Sequence, residues 1–363
     1  MWIHLTSRNV GQPVIFIFLI LHLGRVVMKR KILFAVACMA VLFTVGQVQA
    51  SYLFTTASAT GRAGPTQAAI NSDYSGTSLA GLVTVTGSGI QNWTVSQTGT
   101  YRITAAGAQG ASGDPSYVGG RGALVSGDFI LTSGQILQIA VGQAGLYQSS
   151  NNNGGGGGGS FVVDSLNNPL LVAGGGGGTR ASVVQNGHDG QVSNYGTTSS
   201  VSSPGGGGVL KTTGLGLGGN VFYTWGSAGG GFNGDGAWDF YSTGGGSSWA
   251  NGLLGGYAAT SQNAPGGFGG GGAGNGSYGG GGGGGYSGGD GGRVAGGGGS
   301  FNLGANPFGA IGDNYGDGYV VIEALQVEAT PEPTSLAIFG IGALCMGAGA
   351  ARRRRKEKQA AEA

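Results

Sequence analysis

Between residues 51 and 330 there is one imidazole, His188, set in the turn-forming run Asn186-Gly187-His188-Asp189-Gly190. A single candidate base with no supporting motif does not build a nucleophilic triad, and Asn, Gly and Asp at those positions predict an exposed loop. Gly285-Tyr286-Ser287-Gly288-Gly289 has the spacing of a nucleophile elbow, but such a serine works only where a strand turns sharply into a helix, and that context is missing. Gly274, Gly276 and Gly279 match the spacing of a dinucleotide fingerprint, again with no strand before or helix after to aim backbone N–H groups at a pyrophosphate. Lys211 follows Leu210 and so closes no phosphate-cradling Gly-Lys loop. Asp313-Asn314-Tyr315-Gly316-Asp317-Gly318 half-resembles a calcium loop, yet its third position is Tyr315 and its twelfth is Ala324 where a bidentate Glu is needed. Turns ahead of a closing strand are the better reading of 312–318, with Asp and Asn bonding the backbone. The expectation is a non-enzymatic body with no catalytic residue, no metal and no cofactor.

The elements that would have to position such groups are equally unusual. Of 363 residues, 86 are Gly and only 9% are charged, against about 7% and about 25% in ordinary globular chains. The formal net charge of +2 is carried by the ends; between 51 and 330 six basic residues face twelve acidic ones, a net of −6. That removes the case for a basic nucleic-acid-binding surface. Both cysteines, Cys38 and Cys345, also sit in apolar terminal segments, so the middle of the chain has no disulfide and no thiolate ligand.

The ends read as sorting devices. Met28-Lys29-Arg30-Lys31 precedes an apolar run from Ile32 to Val45 and then Val48-Gln49-Ala50. A charged start, an apolar core and a small residue before the cut are what the export machinery reads. Residues 28–50 are therefore expected to form a signal helix, carried by the Sec translocase and cut between Ala50 and Ser51. Residues 1–27 contain a second apolar stretch, Val14 to Leu23, short of the roughly 20 residues of a membrane span. They read as an extension upstream of a true start at Met28, with a two-pass membrane hairpin as the alternative. At the other end Pro331, Glu332 and Pro333 precede an apolar, Gly- and Ala-rich segment, closed by Arg352, Arg353, Arg354, Arg355 and Lys356. A helix over 334–351 would be about 27 Å long, just short of a ~30 Å hydrocarbon core, with the arginines holding its end inside the cell. A nucleic-acid tail is the lesser reading of that run.

This ordered triple of proline-flanked acid, apolar helix and basic stop resembles the PEP-CTERM sorting signal of Gram-negative bacteria. The resemblance implies recognition by an exosortase, transient residence in the inner membrane through the C-terminal helix, cleavage near Pro331 to Pro333, and delivery to the cell surface or extracellular matrix.

Between these devices, β-branched and aromatic runs bounded by Gly and Asn predict strands at 83–86, 90–95, 101–105, 123–131, 135–141, 160–164, 170–173 and 319–325. Residues 205–299 hold 43 glycines in 95 positions, including seven in a row at 279–285, and no apolar period survives there. A closing strand after a Gly-rich insert suggests one domain, 51–330, with a β-rich part (51–173 and 319–325) and a polyglycine part (154–299). Ordering each glycine costs on the order of 1–2 kcal/mol, while a net backbone hydrogen bond returns about 0.5–1.5, so a lone tract stays disordered. Several tracts side by side as extended three-fold helices could bond laterally, because backbones without Cβ approach closely. Composition alone leaves both states open. The tract aromatics Phe232, Trp238, Tyr241, Trp249, Tyr257, Phe268, Tyr278 and Tyr286 read as glycan-stacking platforms or as wedges at the bundle edge. Wedges are preferred, since large rings usually carry burial.

Phe54-Thr55-Thr56, Gly64-Pro65-Thr66-Gln67, Gly89-Ile90-Gln91-Asn92-Trp93-Thr94-Val95, Tyr101-Arg102-Ile103, Leu137-Gln138-Ile139-Ala140-Val141-Gly142 and the tracts at 154 and 279 resemble the glycine-rich region of the anaplastic lymphoma kinase and leukocyte tyrosine kinase receptors. That implies a mainly β fold: a tumour-necrosis-factor-like β-sandwich with an inserted bundle of polyglycine type II helices, flanked here by the signal and anchor helices. It implies no kinase activity, since no kinase segment is present. The receptor regions use disulfides and this body has no cysteine, so fold is carried over and ligand is not. The expected function is an exported, exosortase-sorted surface or matrix structural protein, associated with biofilm, floc or exopolysaccharide, with no nucleic-acid partner. An adhesin or lectin-like module recognising a glycan or peptide is the alternative.

Overall fold

The computed structural model describes residues 50–150, 152–183, 185–200, 208–221, 226–240, 243–276, 279–327 and 349–361. The chain divides into two units, 1–48 and 49–363, and every described residue belongs to the second. The expected signal helix, the triplet Pro331, Glu332 and Pro333, and the anchor up to residue 348 lie outside the described residues. Among the described residues no helix is long and apolar enough to cross a membrane.

The body is mainly β. Strands β1 (Ser51–Phe54), β4 (Gly99–Ala106), β5 (Gly122–Leu131), β12 (Ala305–Asn314) and β13 (Tyr319–Val327) form a five-stranded sheet in the order β1-β13-β4-β5-β12. A six-stranded sheet runs β11-β10-β9-β6-β3-β2, from β2 (Val83–Thr86), β3 (Ile90–Thr94), β6 (Ile136–Ala140), β9 (Ser160–Asp164), β10 (Pro169–Ala173) and β11 (Phe301–Asn302). A two-stranded ribbon pairs β7 (Tyr147–Gln148) with β8 (Asn153–Gly154). All strand pairings in both sheets are antiparallel.

The alternation of β4 puts Tyr101, Ile103 and Ala105 inward, with Arg102 and Thr104 between them, and β13 does the same with Val320, Ile322 and Ala324. These meet Trp93, Leu137, Ile139, Val162 and Leu171 of the other sheet in one buried core. In β9, Phe161, Val162 and Val163 are all buried. A continuous apolar run marks a strand covered on both faces, and the second cover here is the glycine-rich region. The two-residue strands β7, β8 and β11 were not expected, and three longer elements also depart from the sequence reading. β1 pairs with β13 where no strand was expected. A short helix, α1 (Gln67–Asp73), follows Thr66, whose hydroxyl accepts from the Ala69 N–H at 3.3 Å. β12 occupies a stretch whose end, from Gly312, was expected to be turns; it pairs with β5 through two register shifts, and Gly312 sits in the second at φ +59.

The glycine tracts are joined sideways by backbone hydrogen bonds whose partners repeat every third residue. The N–H groups of Gly154 and Gly157 donate to Thr179 and Gly176, those of Gly155 and Gly158 to Leu146 and Gln143, and those of Gly156 and Gly159 to Gly272 and Gly269. The tract at 279–285 follows the same rule: Gly281 and Gly284 donate to Gly154 and Gly157, Gly282 and Gly285 to Ser227 and Gly230, and Gly283 and Tyr286 to Gly296 and Gly299. None of the glycines at 154–159, 174–178, 279–285 or 296–299 lies in the left-handed region. What they supply is close approach: a methyl on Gly157 would overlap the Ala108 carbonyl, one on Gly176 the Gly120 carbonyl and one on Gly283 the Gly175 carbonyl.

Side-chain space therefore separates two kinds of glycine. Gly283→Ala is expected to cost about 3 kcal/mol or more, or to prevent folding, by forcing backbones apart. Gly76→Ala faces open space at φ +79 and is expected to cost only the left-handed penalty of about 1–2 kcal/mol. Urea denaturation of the two variants measures the difference.

Candidate functional site

The tracts meet the outer face of the six-stranded sheet through aromatic rings. Ala140, Phe161, Val163 and Val172 present that face, and Phe232, Trp249, Leu253 and Phe268 cover it. The rings form a column: Phe161 to Trp249 at 5.8 Å between centroids, Trp249 to Phe232 at 5.9 Å and nearly parallel, Phe232 to Tyr286 at 6.1 Å, and Tyr286 to Phe301 at 4.5 Å. Phe232, Trp249 and Phe268 are thus wedges between sheet and tracts. Trp238 at 61% and Tyr257 at 48% are exposed, Tyr257 beneath the Arg62 guanidinium at 5.2 Å; Tyr241 and Tyr278 lie outside the described residues.

A buried indole N–H needs an acceptor, and Trp249 Nε1 donates to Asn167 Oδ1 at 3.1 Å. Asn167 holds a left-handed φ of 64° in the turn between β9 and β10, a conformation Asn tolerates. The same oxygen accepts from Gln138 Nε2 at 3.3 Å. The turn is fastened by Asp164, which accepts from the N–H groups of Leu166 and Asn168 and from Asn168 Nδ2. Burial alone would raise its carboxyl, but these bonds hold it below the usual carboxylate range. Beside the column a crevice of about 500 Å³ opens, lined among others by Gln138, Asn167, Phe232, Asn233, Trp249 and Ala250.

The other sequence candidates are tied into the framework. His188 was expected in an exposed turn; it is instead partly buried, because its backbone joins the tracts through Ala295 and Gly177. Its Nδ1 accepts from the Gly208 N–H at 3.1 Å, which leaves the proton on Nε2, 3.3 Å from Ser200 Oγ. The imidazole therefore donates to Ser200, the opposite of what a general base must do. Burial lowers its pKa, with Asp189 opposing. Ser287 is buried and donates to the Asn194 carbonyl at 2.6 Å while accepting from the Gly216 N–H at 2.8 Å. Asn275 and Gly279 bond each other's backbones in a local loop at the fingerprint spacing. Asp317 accepts from the Ala144 N–H and the Thr56 hydroxyl, the backbone-bonding role expected for it.

Sequence reasoning missed an ion pair. Lys211 Nζ reaches Asp290 Oδ1 at 3.1 Å, both side chains largely buried, and also donates to the Gly288 carbonyl at 2.8 Å. Asp290 takes the Asn220 N–H as well. Seventy-nine positions separate the pair, so only the folded tracts bring them together. Of the sorting residues, Ala50 is partly buried and its carbonyl accepts from Ala324, while Ser51 opens β1. Arg352, Arg353, Arg354 and Arg355 are exposed within a helical stretch over 349–361.

Residues 329–356 match the PEP-CTERM protein-sorting motif. The chain carries that motif, which implies an exported protein whose membrane-anchored precursor is sorted to the surface by an exosortase. Over 97 residues, or 26% of its length, the chain is 38% identical to a region of the leukocyte tyrosine kinase receptor of Mus musculus. The matched stretch spans 11% of that receptor's length.

The pKa of His188, lowered by its partial burial, makes stability pH-dependent. With its folded pKa below the unfolded value, the unfolded chain binds the extra proton, so stability is intact above the ordinary imidazole range near pH 6.5 and is lost as pH falls through it. Thermal melting between pH 8 and pH 5 is expected to show this decline, and His188→Gln to flatten it.

Proposed function

We propose that the chain is a non-enzymatic structural protein of the bacterial surface or extracellular matrix, exported, anchored briefly in the inner membrane, released by exosortase processing, and associated there with exopolysaccharide. The body is read as a tumour-necrosis-factor-like sandwich carrying a bundle of polyglycine type II helices. The observation that carries this is the three-residue repeat of hydrogen-bond partners along the tracts. A three-fold extended helix turns once per three residues, so residues i and i+3 face the same neighbour, whereas a β-strand would return every second residue. No glycine at 154–159, 174–178, 279–285 or 296–299 has a positive φ, which agrees with the same conformation.

Such a body suits display outside the cell. Its backbone bonds are buried and mutually satisfied, which denies a protease the extended, accessible chain it needs. Four of its six basic side chains are engaged locally: Arg62 on Tyr257, Arg102 on Asp128, Arg121 on Tyr315 and Lys211 on Asp290. With no cysteine between 51 and 330, its stability does not depend on the redox state of its surroundings. The amide-lined crevice favours a second reading, a module that recognises a glycan.

Two measurements test the proposal. Replacing Pro331, Glu332 and Pro333 with alanine is expected to leave the uncut precursor in the membrane fraction; release at the normal rate would refute exosortase processing. Deleting the gene is expected to weaken matrix cohesion, restored by the native chain and not by Gly283→Ala. Unchanged cohesion in the deletion strain would refute the structural role.

A further inference from the structure

We propose that the crevice beside the aromatic column is a binding site for one uncharged saccharide unit, a reading that rests on the surface location proposed above. Apart from the Trp249 indole N–H, which is spent on Asn167, its hydrogen-bonding side chains are carboxamides: Gln138, Asn167 and Asn233. A carboxamide both donates and accepts, as does each hydroxyl of a sugar ring. None of the lining side chains is charged, so an ion entering here would lose water without meeting a counter-charge.

Two of the three carboxamides are pre-set. Asn167 Oδ1 is engaged by Trp249 and Gln138, which fixes the amide plane and leaves Nδ2 without a hydrogen bond among the described residues. Gln138 spends its Nε2 on Asn167 and the Asp164 carbonyl, leaving Oε1 to accept. The carboxamide of Asn233 is exposed and makes no hydrogen bond among the described residues. Phe232 and Trp249 are locked nearly parallel in the column, so the apolar wall is rigid as well. Ordering Gln138, Asn167 and the two rings before the ligand arrives removes part of the usual entropic cost. The volume of about 500 Å³ falls within the range of roughly 300–1,000 Å³ typical of small-molecule sites.

Charge flanking the crevice sets the class of sugar. Asp164 neighbours Gln138 through its carbonyl. Asp235 accepts from the Ser248 N–H and from the Nδ2 of Asn251, which follows Ala250 in the chain. Bonds from N–H groups favour the ionised form of both carboxylates, and two anions carried by residues bonded to or neighbouring the lining oppose a uronate or a phosphorylated sugar.

The test is isothermal titration calorimetry of the purified exported protein with neutral gluco-, galacto- and manno-oligosaccharides and with matching uronic acid oligomers. Saturable binding of at least one neutral series and none of the uronates is expected. Ala250→Trp, which fills the mouth from an exposed position, should lower that affinity at least tenfold with thermal melting unchanged. If that variant melts early, Asn233→Ala should weaken binding about fivefold. No saturable binding of any neutral series, a preference for uronates, or affinity that survives these variants would overturn the site. Amide exchange of the tracts on the same sample keeps the two proposals apart: protected tracts without sugar binding sink the crevice alone, whereas unprotected tracts sink the structural reading and, with it, the crevice that the folded rings assemble.

Discussion

The structure depends on one constraint: backbones with no Cβ must lie close enough to exchange N–H···O=C bonds on several sides at once. In a sheet each strand bonds to two neighbours and packs side chains above and below. The tract at 154–159 instead donates in three directions, to segments around 179, 146 and 272. Its carbonyls meanwhile accept from Gly281, Ala111 and Gly267. Every such group is buried, so a single broken bond exposes a donor or acceptor at a cost of about 1–3 kcal/mol. Order in any one tract thereby requires order in its neighbours, and the whole region is cooperative for that reason.

Such a solid needs edges, and the rest of the chain supplies them. The six-stranded sheet forms one wall, with Phe161 and Phe301 meeting Trp249, Phe232 and Tyr286 in a continuous ring column. Polar side chains close the remaining gaps at single points, as Asn153 does by taking the Ala264 N–H and donating to the Gln262 carbonyl. Lys211 and Asp290 do the same with charge. Removing one partner of a largely buried pair strands the other, so this pair fixes which tracts meet as well as how strongly.

How far the sequence reveals this depends on whether side chains carry the signal. The strands from β2 to β6, and β13, are readable because alternation and β-branching reflect a half-buried pleat. β12 is not. Ala305-Asn306-Pro307-Phe308-Gly309-Ala310 has no alternation, is almost entirely exposed, and is held in the sheet by β5. α1 is too short to show a helical period. The recurrence of pure glycine runs hints at lateral packing, but which tract bonds which is invisible, since the recognising groups are identical at every residue. The hydrogen bond that His188 Nδ1 accepts likewise depends on Gly208 arriving from twenty positions away. The crevice draws on Gln138, Asn167, Asn233 and Trp249 from four separate segments, and only the folded rings bring them together.

The most direct measurement of the central claim is residue-resolved hydrogen exchange of the backbone amides at 154–159, 174–178 and 279–285 in the exported protein. Laterally bonded tracts predict protection as strong as that of Ile103 and Ile139 in the sheets, lost together in one transition as denaturant is raised. Exchange of these glycines at the rate of an unstructured peptide, beside protected sheets, would contradict it.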